Sequence, residues 1–139
     1  MYTLGDINEV LRKAAFGDGA ALSWLAVACL HMDGVSLETN VFLSELLSRM
    51  AAFHGRNDDA FRVAQLLTAQ AAKRHDEGDE ERAIDNIAEA MVIYDRLGEA
   101  GDPDAPRALD LLIGAASTEG LCQQALDRAK LVEAELHGG

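Results

Sequence analysis

Four histidines and two cysteines are the residues from which chemistry would first be sought in this chain. His54 lies in the stretch AAFHGRNDDAF, residues 51–61, with Asp58 and Asp59 four and five positions further on. His75 precedes Asp79 by four residues, a spacing that can place both side chains on one helix face, and His31 is close to Asp33. An imidazole beside a carboxylate could hold a divalent metal or move a proton. None of these forms HExxH or a paired His/carboxylate set. His54 and His75 both fall near the expected C-terminal end of a helix, where such a side chain meets unpaired carbonyls favourably, and that structural role is the expectation for both.

The other chemical candidates weaken on the same inspection. The acidic run DEGDEE, 76–81, has the oxygens that calcium needs but lacks the alternating loop with its distal Glu. Cys29 lies in an apolar segment beside Trp24 and Leu25, the setting of an inert packed thiol, and Trp24 itself reads as core. Cys122 is the better candidate for a reactive thiol, since a helix N-terminus lowers a thiol pKa, but no base is near it in sequence. No strand is expected, so no glycine-rich phosphate loop has its context. No cofactor or metal is expected.

The elements that carry these residues follow from composition. The 139 residues suit a single domain, 1–139, and 49% are apolar while only 5% are aromatic, with Ala and Leu dominant. The two prolines, Pro103 and Pro106, share one segment, so an all-α fold is expected. The formal charge is −12, which argues against nucleic acid or an anionic membrane as partner. Between Asp76 and Asp104 there are eleven acidic residues against Arg82 and Arg96, so most of the net charge sits there, as a solvated face or a docking surface for a basic partner. Two cysteines 93 positions apart are no disulfide framework, and MYTLGDINEVLRK lacks the pattern of a signal peptide. The expectation is a soluble cytoplasmic protein.

Periodicity and punctuation give seven helices. A short first helix at about 6–16 opens on a capping-box pattern at Asp6 and Glu9, and an almost wholly apolar segment runs from Ala20 to Met32. Ser36 can cap a third helix, whose Leu37, Val41, Phe42, Leu46, Leu47, Met50 and Phe53 form a stripe ending at Gly55. Asn57 or Asp58 can cap a fourth, apolar nearly all round through Phe61, Val63, Ala64, Leu66, Leu67, Ala71 and Ala72. Ala83, Ile84, Ile87, Ala88, Met91, Tyr94 and Leu97 make the strongest stripe, on the fifth. Two more, about 105–118 and 121–136, complete the set, giving a capping helix and three pairs at about 20–54, 58–98 and 105–136.

The punctuation recurs. Ala14-Ala15-Phe16-Gly17 returns as Ala51-Ala52-Phe53-His54-Gly55, an offset of 37 to 38, and Gly78 precedes Ala83-Ile84 as Gly120 precedes Ala125-Leu126, an offset of 42. These residues, with GDEERAIDNIAEA at 78–90 closest, resemble tetratricopeptide-type repeats and in particular the Sel-like variant. The resemblance spans about 14–136, although the aromatic usual in the first helix is missing and Cys29 and Thr68 stand near its place. It implies a right-handed superhelix of stacked antiparallel helix pairs, and a non-catalytic module that holds a protein or peptide partner in a helix-lined groove. Arg62, Gln65 and Thr68, polar residues in an otherwise apolar helix, are the candidate partner-binding side chains. His54 and Arg56, which the repeat does not explain, join them. A structural homo-oligomer is the alternative, because a short stack ends on an open apolar face. A small helical metal protein or enzyme using His54 and His75 ranks third.

Overall fold

A computed structural model describes residues 10, 12–14, 18–31, 33–34, 36–53 and 56–138. Among the described residues every regular element is helical. Val10 and residues 12–14 belong to α1, followed by α2 (Gly19–Cys29), α3 (Leu37–Phe53), α4 (Asn57–Asp76), α5 (Glu80–Glu99), α6 (Ala105–Thr118) and α7 (Cys122–Gly138). Most of the expected first helix, with Asp6 and Glu9, and the stops Gly17 and Gly55 lie outside the described residues.

The starts and stops have local causes. Asp18 caps α2 by accepting from the Ala21 N–H at 3.1 Å, Ser36 caps α3 through Thr39 N–H at 3.2 Å, and Asp79 caps α5 through Arg82 N–H at 3.3 Å. At α4 neither Asn57 nor Asp58 is the cap. The helix begins at Asn57, and the Arg56 carbonyl accepts from Asp59 and Ala60 N–H at 3.1 and 3.2 Å. Gly78 and Gly120 close α4 and α6 with φ of 81° and 76°, a region in which a Cβ is strained. The residue after each donates to the carbonyl five positions back, Asp79 to Arg74 at 2.8 Å and Leu121 to Ala116 at 2.9 Å. Asp102 N–H makes the same bond to Leu97 at 2.9 Å beyond α5. Ala83 and Ala125, five residues after those two glycines, are both completely buried.

Contacts group the chain into two units, Met1–Val63 and Ala64–Gly139. In the second, α5 packs against both α6 and α7, which also touch each other. All seven stripe residues of α5 are buried, joined by Leu67, Ala71, Ala90, Val92, Leu112, Ala116 and Leu121. Burying several Leu, Ile and Met side chains, each worth roughly 1.5–3 kcal/mol, makes this the thermodynamic centre of the unit. Across the α5/α7 contact, Arg96 makes two bonds to the Glu133 carboxylate at 3.2 and 3.3 Å, and Arg128 meets Asp85 and Glu81.

In the first unit α2 and α3 pack together, and the side chains they bury are small. The buried apolar residues of this unit are Ala21, Leu22, Ala26, Ala51 and Val63 among those described. The apolar segment holding α2 is therefore not enclosed on every side: Trp24 and Cys29 are half-buried and Val27 is exposed. In α3 the inward face is Asn40, Ser44, Ser48 and Ala51, while Leu37, Phe42, Leu46 and Met50 are 73, 60, 46 and 45% exposed. Residues at i, i+4 and i+8 span about 80° of a helix, so Phe42, Leu46 and Met50 lie roughly opposite the inward set, while Leu37 is exposed at the first residue of the helix. Such a stripe ordinarily faces the core. Here the small side chains do, because serine and alanine let helix axes approach more closely than leucine or phenylalanine.

Candidate functional site

The joint between α3 and α4 holds a fully buried carboxylate. Asp59, in the first turn of α4, has its Oδ2 2.9 Å from Arg56 Nε and its Oδ1 2.8 Å from Arg62 Nη1. The i, i+3, i+6 spacing along one helix face lets one Asp collect both guanidinium groups. Two charge-assisted bonds satisfy both oxygens, and that satisfaction is what permits the charge to be buried. Arg56 and Arg62 are thus both engaged by Asp59 at this joint, each keeping part of its side chain in water. His54 lies outside the described residues.

The remaining candidates from the sequence separate. Gln65 is exposed on α4. Thr68 donates to the Ala64 carbonyl at 2.8 Å and also hydrogen-bonds the Tyr94 phenol on α5. Burial pushes Tyr94 above the usual tyrosine value, and the Thr68 hydrogen bond offsets part of that rise. Arg62 and Thr68 therefore have partners within the chain, which removes the reason to treat α4 as a helix with stranded polar groups.

His75 Nδ1 lies 2.7 Å from Glu80 Oε1, so its carboxylate neighbour is Glu80 in the first turn of α5 rather than Asp79. The bond joins the end of one helix to the start of the next. His31 and Asp33 are both exposed, and among the described residues no three His, Cys, Asp or Glu side chains gather as a metal set. Cys29 and Cys122 are free thiols, and burial raises Cys29 above the ordinary thiol value. Of the acidic segment, Glu81 and Asp85 are partly neutralised by Arg128, and Glu77 by Lys73 and Arg74.

The outward face of α3 is a different kind of feature. Phe42, Leu46 and Met50 form a continuous apolar ridge, one residue on each of three successive turns, whereas Leu37, five residues before Phe42, lies off its line. The exposed leucines elsewhere make no such ridge: Leu126, Leu131 and Leu136 on α7 follow one another at five residues, which scatters them around the helix. Inside, the Ser44 and Ser48 hydroxyls are buried with no hydrogen-bond partner among the described residues. The helix thus keeps these polar atoms in and the side chains of Phe42, Leu46 and Met50 out.

Sequence reasoning registered every residue of this ridge but not its direction. The readable signal was that Asn40, Ser44 and Ser48 repeat at the same spacing on the opposite side, a second and smaller stripe able to compete for the interior. For Asp59 the signal was R-x-x-D-x-x-R, 56–62. No protein-family model matches this chain, and no curated protein or solved structure matches it.

Proposed function

We propose that the chain is a protein-interaction module without catalysis of its own, and that its contact surface is the outer face of α3. One observation carries the reading: Phe42, Leu46 and Met50 are turned outward while Ser44 and Ser48 are fully buried. Large apolar side chains ordered along three turns match the helix-face recognition used between helical proteins, in which anchors at i, i+4 and i+8 enter a partner's surface. The tetratricopeptide-like or Sel-like reading remains part of the proposal. Its support is the repeated glycine stop at Gly78 and Gly120, each followed by a buried alanine at Ala83 and Ala125. A cytoplasmic location fits the free thiols of Cys29 and Cys122.

The test separates an open face from a core face. Leu46→Asp and Phe42→Asp, measured at the lowest workable protein concentration, are expected to leave the urea midpoint nearly unchanged and to reduce binding of an apolar dye several-fold. If either substitution instead destabilises the chain as much as Leu22→Ala does, α3 faces a core and the reading fails.

A second reading concerns the acidic stretch 76–104 as a dock for a basic partner, favoured by the exposure of Asp76, Glu80, Asp95 and Glu99. Binding of a poly-lysine probe that falls steeply with added salt would support it, and binding indifferent to ionic strength would exclude it.

A further inference from the structure

The outer face of α3, read above as an interface, has a geometry that also names its occupant. We infer that it meets the same face of a second copy of this chain, the two α3 helices lying antiparallel about Leu46.

The ridge is symmetric about its centre. Phe42 stands four residues before Leu46 and Met50 four residues after it. A two-fold axis at Leu46 therefore sets Leu46 on Leu46 of the second copy and each Phe42 on the other copy's Met50. Such an isologous contact uses one patch twice, and a thioether against an aromatic ring is a favourable contact.

Charge points the same way. A chain of formal charge −12 repels its own copies, so self-association needs a face free of that excess. The first unit carries five basic and eight acidic residues, whereas the second carries seven and sixteen. Phe42, Leu46, Met50 and their neighbours Thr39 and Leu43 are uncharged, and the carboxylates beside them are Glu38, one turn before Phe42, and Glu45 on one flank. One flank of the ridge carries Glu45 and Arg49, an ion pair at 3.7 Å within the helix, with the Arg49 side chain 38% exposed. Antiparallel reversal brings that flank onto itself, so Arg49 of one copy approaches Glu45 of the other, and opposite charges meet on both sides of the axis.

A single helix face is small beside the roughly 800 Å² per partner of a standard interface. The association is accordingly weak and concentration-dependent rather than permanent.

Cysteine pairing in the full chain tests the geometry. In a Cys29→Ser, Cys122→Ser background, Leu46→Cys is expected to form a disulfide-linked dimer under mild oxidation. Phe42→Cys and Met50→Cys, each alone, are expected to cross-link poorly but to join each other readily when mixed. Sedimentation of the unaltered chain should move from monomer toward dimer as concentration rises, and Leu46→Asp should hold it monomeric with its helix content intact. Efficient self-linking of Phe42→Cys would overturn the antiparallel arrangement. A chain that stays monomeric yet binds apolar dye through this face overturns the second copy as occupant and leaves the interaction reading standing. A monomer in which Leu46→Asp lowers the unfolding midpoint as far as Leu22→Ala overturns both.

Discussion

The Arg62 guanidinium lies 2.8 Å from a carboxylate oxygen of Asp59, a side chain with no exposed surface at all. The pairing is unequal in its demands, because Arg62 keeps part of its surface in water while Asp59 keeps none. Removing the cations therefore strands a buried anion, whereas removing the anion leaves solvated cations. The double variant Arg56→Ala, Arg62→Ala is expected to lose about 3–5 kcal/mol of stability. Each single variant should lose less than half of that, since the second guanidinium stays in place. Urea unfolding followed by far-UV circular dichroism measures all three, and additive single effects would show that the two arginines act independently.

Ser44 and Ser48 give a prediction of opposite sign. Each hydroxyl is buried in α3 without a hydrogen-bond partner among the described residues, and serine is a poorer helix former than alanine. Ser44→Ala and Ser48→Ala should each stabilise the chain by roughly 0.5–1 kcal/mol. Ser44→Leu should destabilise it by about 1–3 kcal/mol through overpacking of the close α2/α3 contact. Thermal melts decide the matter: a Leu at position 44 that raises the melting temperature would mean that this face has room and does not face inward.

Tyr94 sets an alkaline limit. Its pKa is raised in the folded chain by burial, so the native state holds the phenolic proton when the unfolded chain has begun to release it. Stability from this group is complete below about pH 10, the ordinary tyrosine value, and declines as pH rises toward the raised folded value. Tyr94→Phe is expected to flatten that decline while losing about 0.5–1.5 kcal/mol at neutral pH with the Thr68 hydrogen bond. Unfolding free energies measured at neutral pH and above pH 10 for both chains test the sign; equal alkaline slopes would refute it.

The ion pairs that tie α5 to α7 are exposed and should behave so. Arg128→Ala, which releases Asp85 and Glu81, and Arg96→Ala, which releases Glu133, are each expected to cost under about 1 kcal/mol at low ionic strength. The cost should fade in molar salt as screening shortens the reach of the charges. Persistence of the full effect at high salt would assign these arginines a packing role through their aliphatic stems instead.

Much of the architecture was legible because several local rules agreed. In α5, Asp79, the Ala83-to-Leu97 stripe and the left-handed Gly101 all point to one helix with one buried side, and the structure has that helix. The rule failed in α3, where two stripes share the same period. Hydrophobicity favours burying Phe42, Leu46 and Met50; close approach of the helix axes favours burying Ser44, Ser48 and Ala51. Periodicity detects both sets and cannot rank them. The polar residues of α4 are a related case. Arg62 and Thr68 were weighed as lone groups on an apolar helix, yet each has a partner, Asp59 three residues away and Tyr94 on the next helix. Only the first of those partners could be found from spacing alone.

The small side chains that α2 buries, Ala21 and Ala26 beside Leu22, have a consequence for how the native chain breathes. Among the described residues of the first unit five apolar side chains are buried, of which only Leu22 and Val63 exceed alanine in size, whereas α5 alone buries Ile84, Ile87, Met91, Val92, Tyr94 and Leu97. Opening α2 exposes little hydrocarbon to water, and opening α5 exposes a great deal. Amide protons of α2 should therefore trade for deuterium through shallow local excursions, while those of α5 wait for the deepest unfolding the chain undergoes.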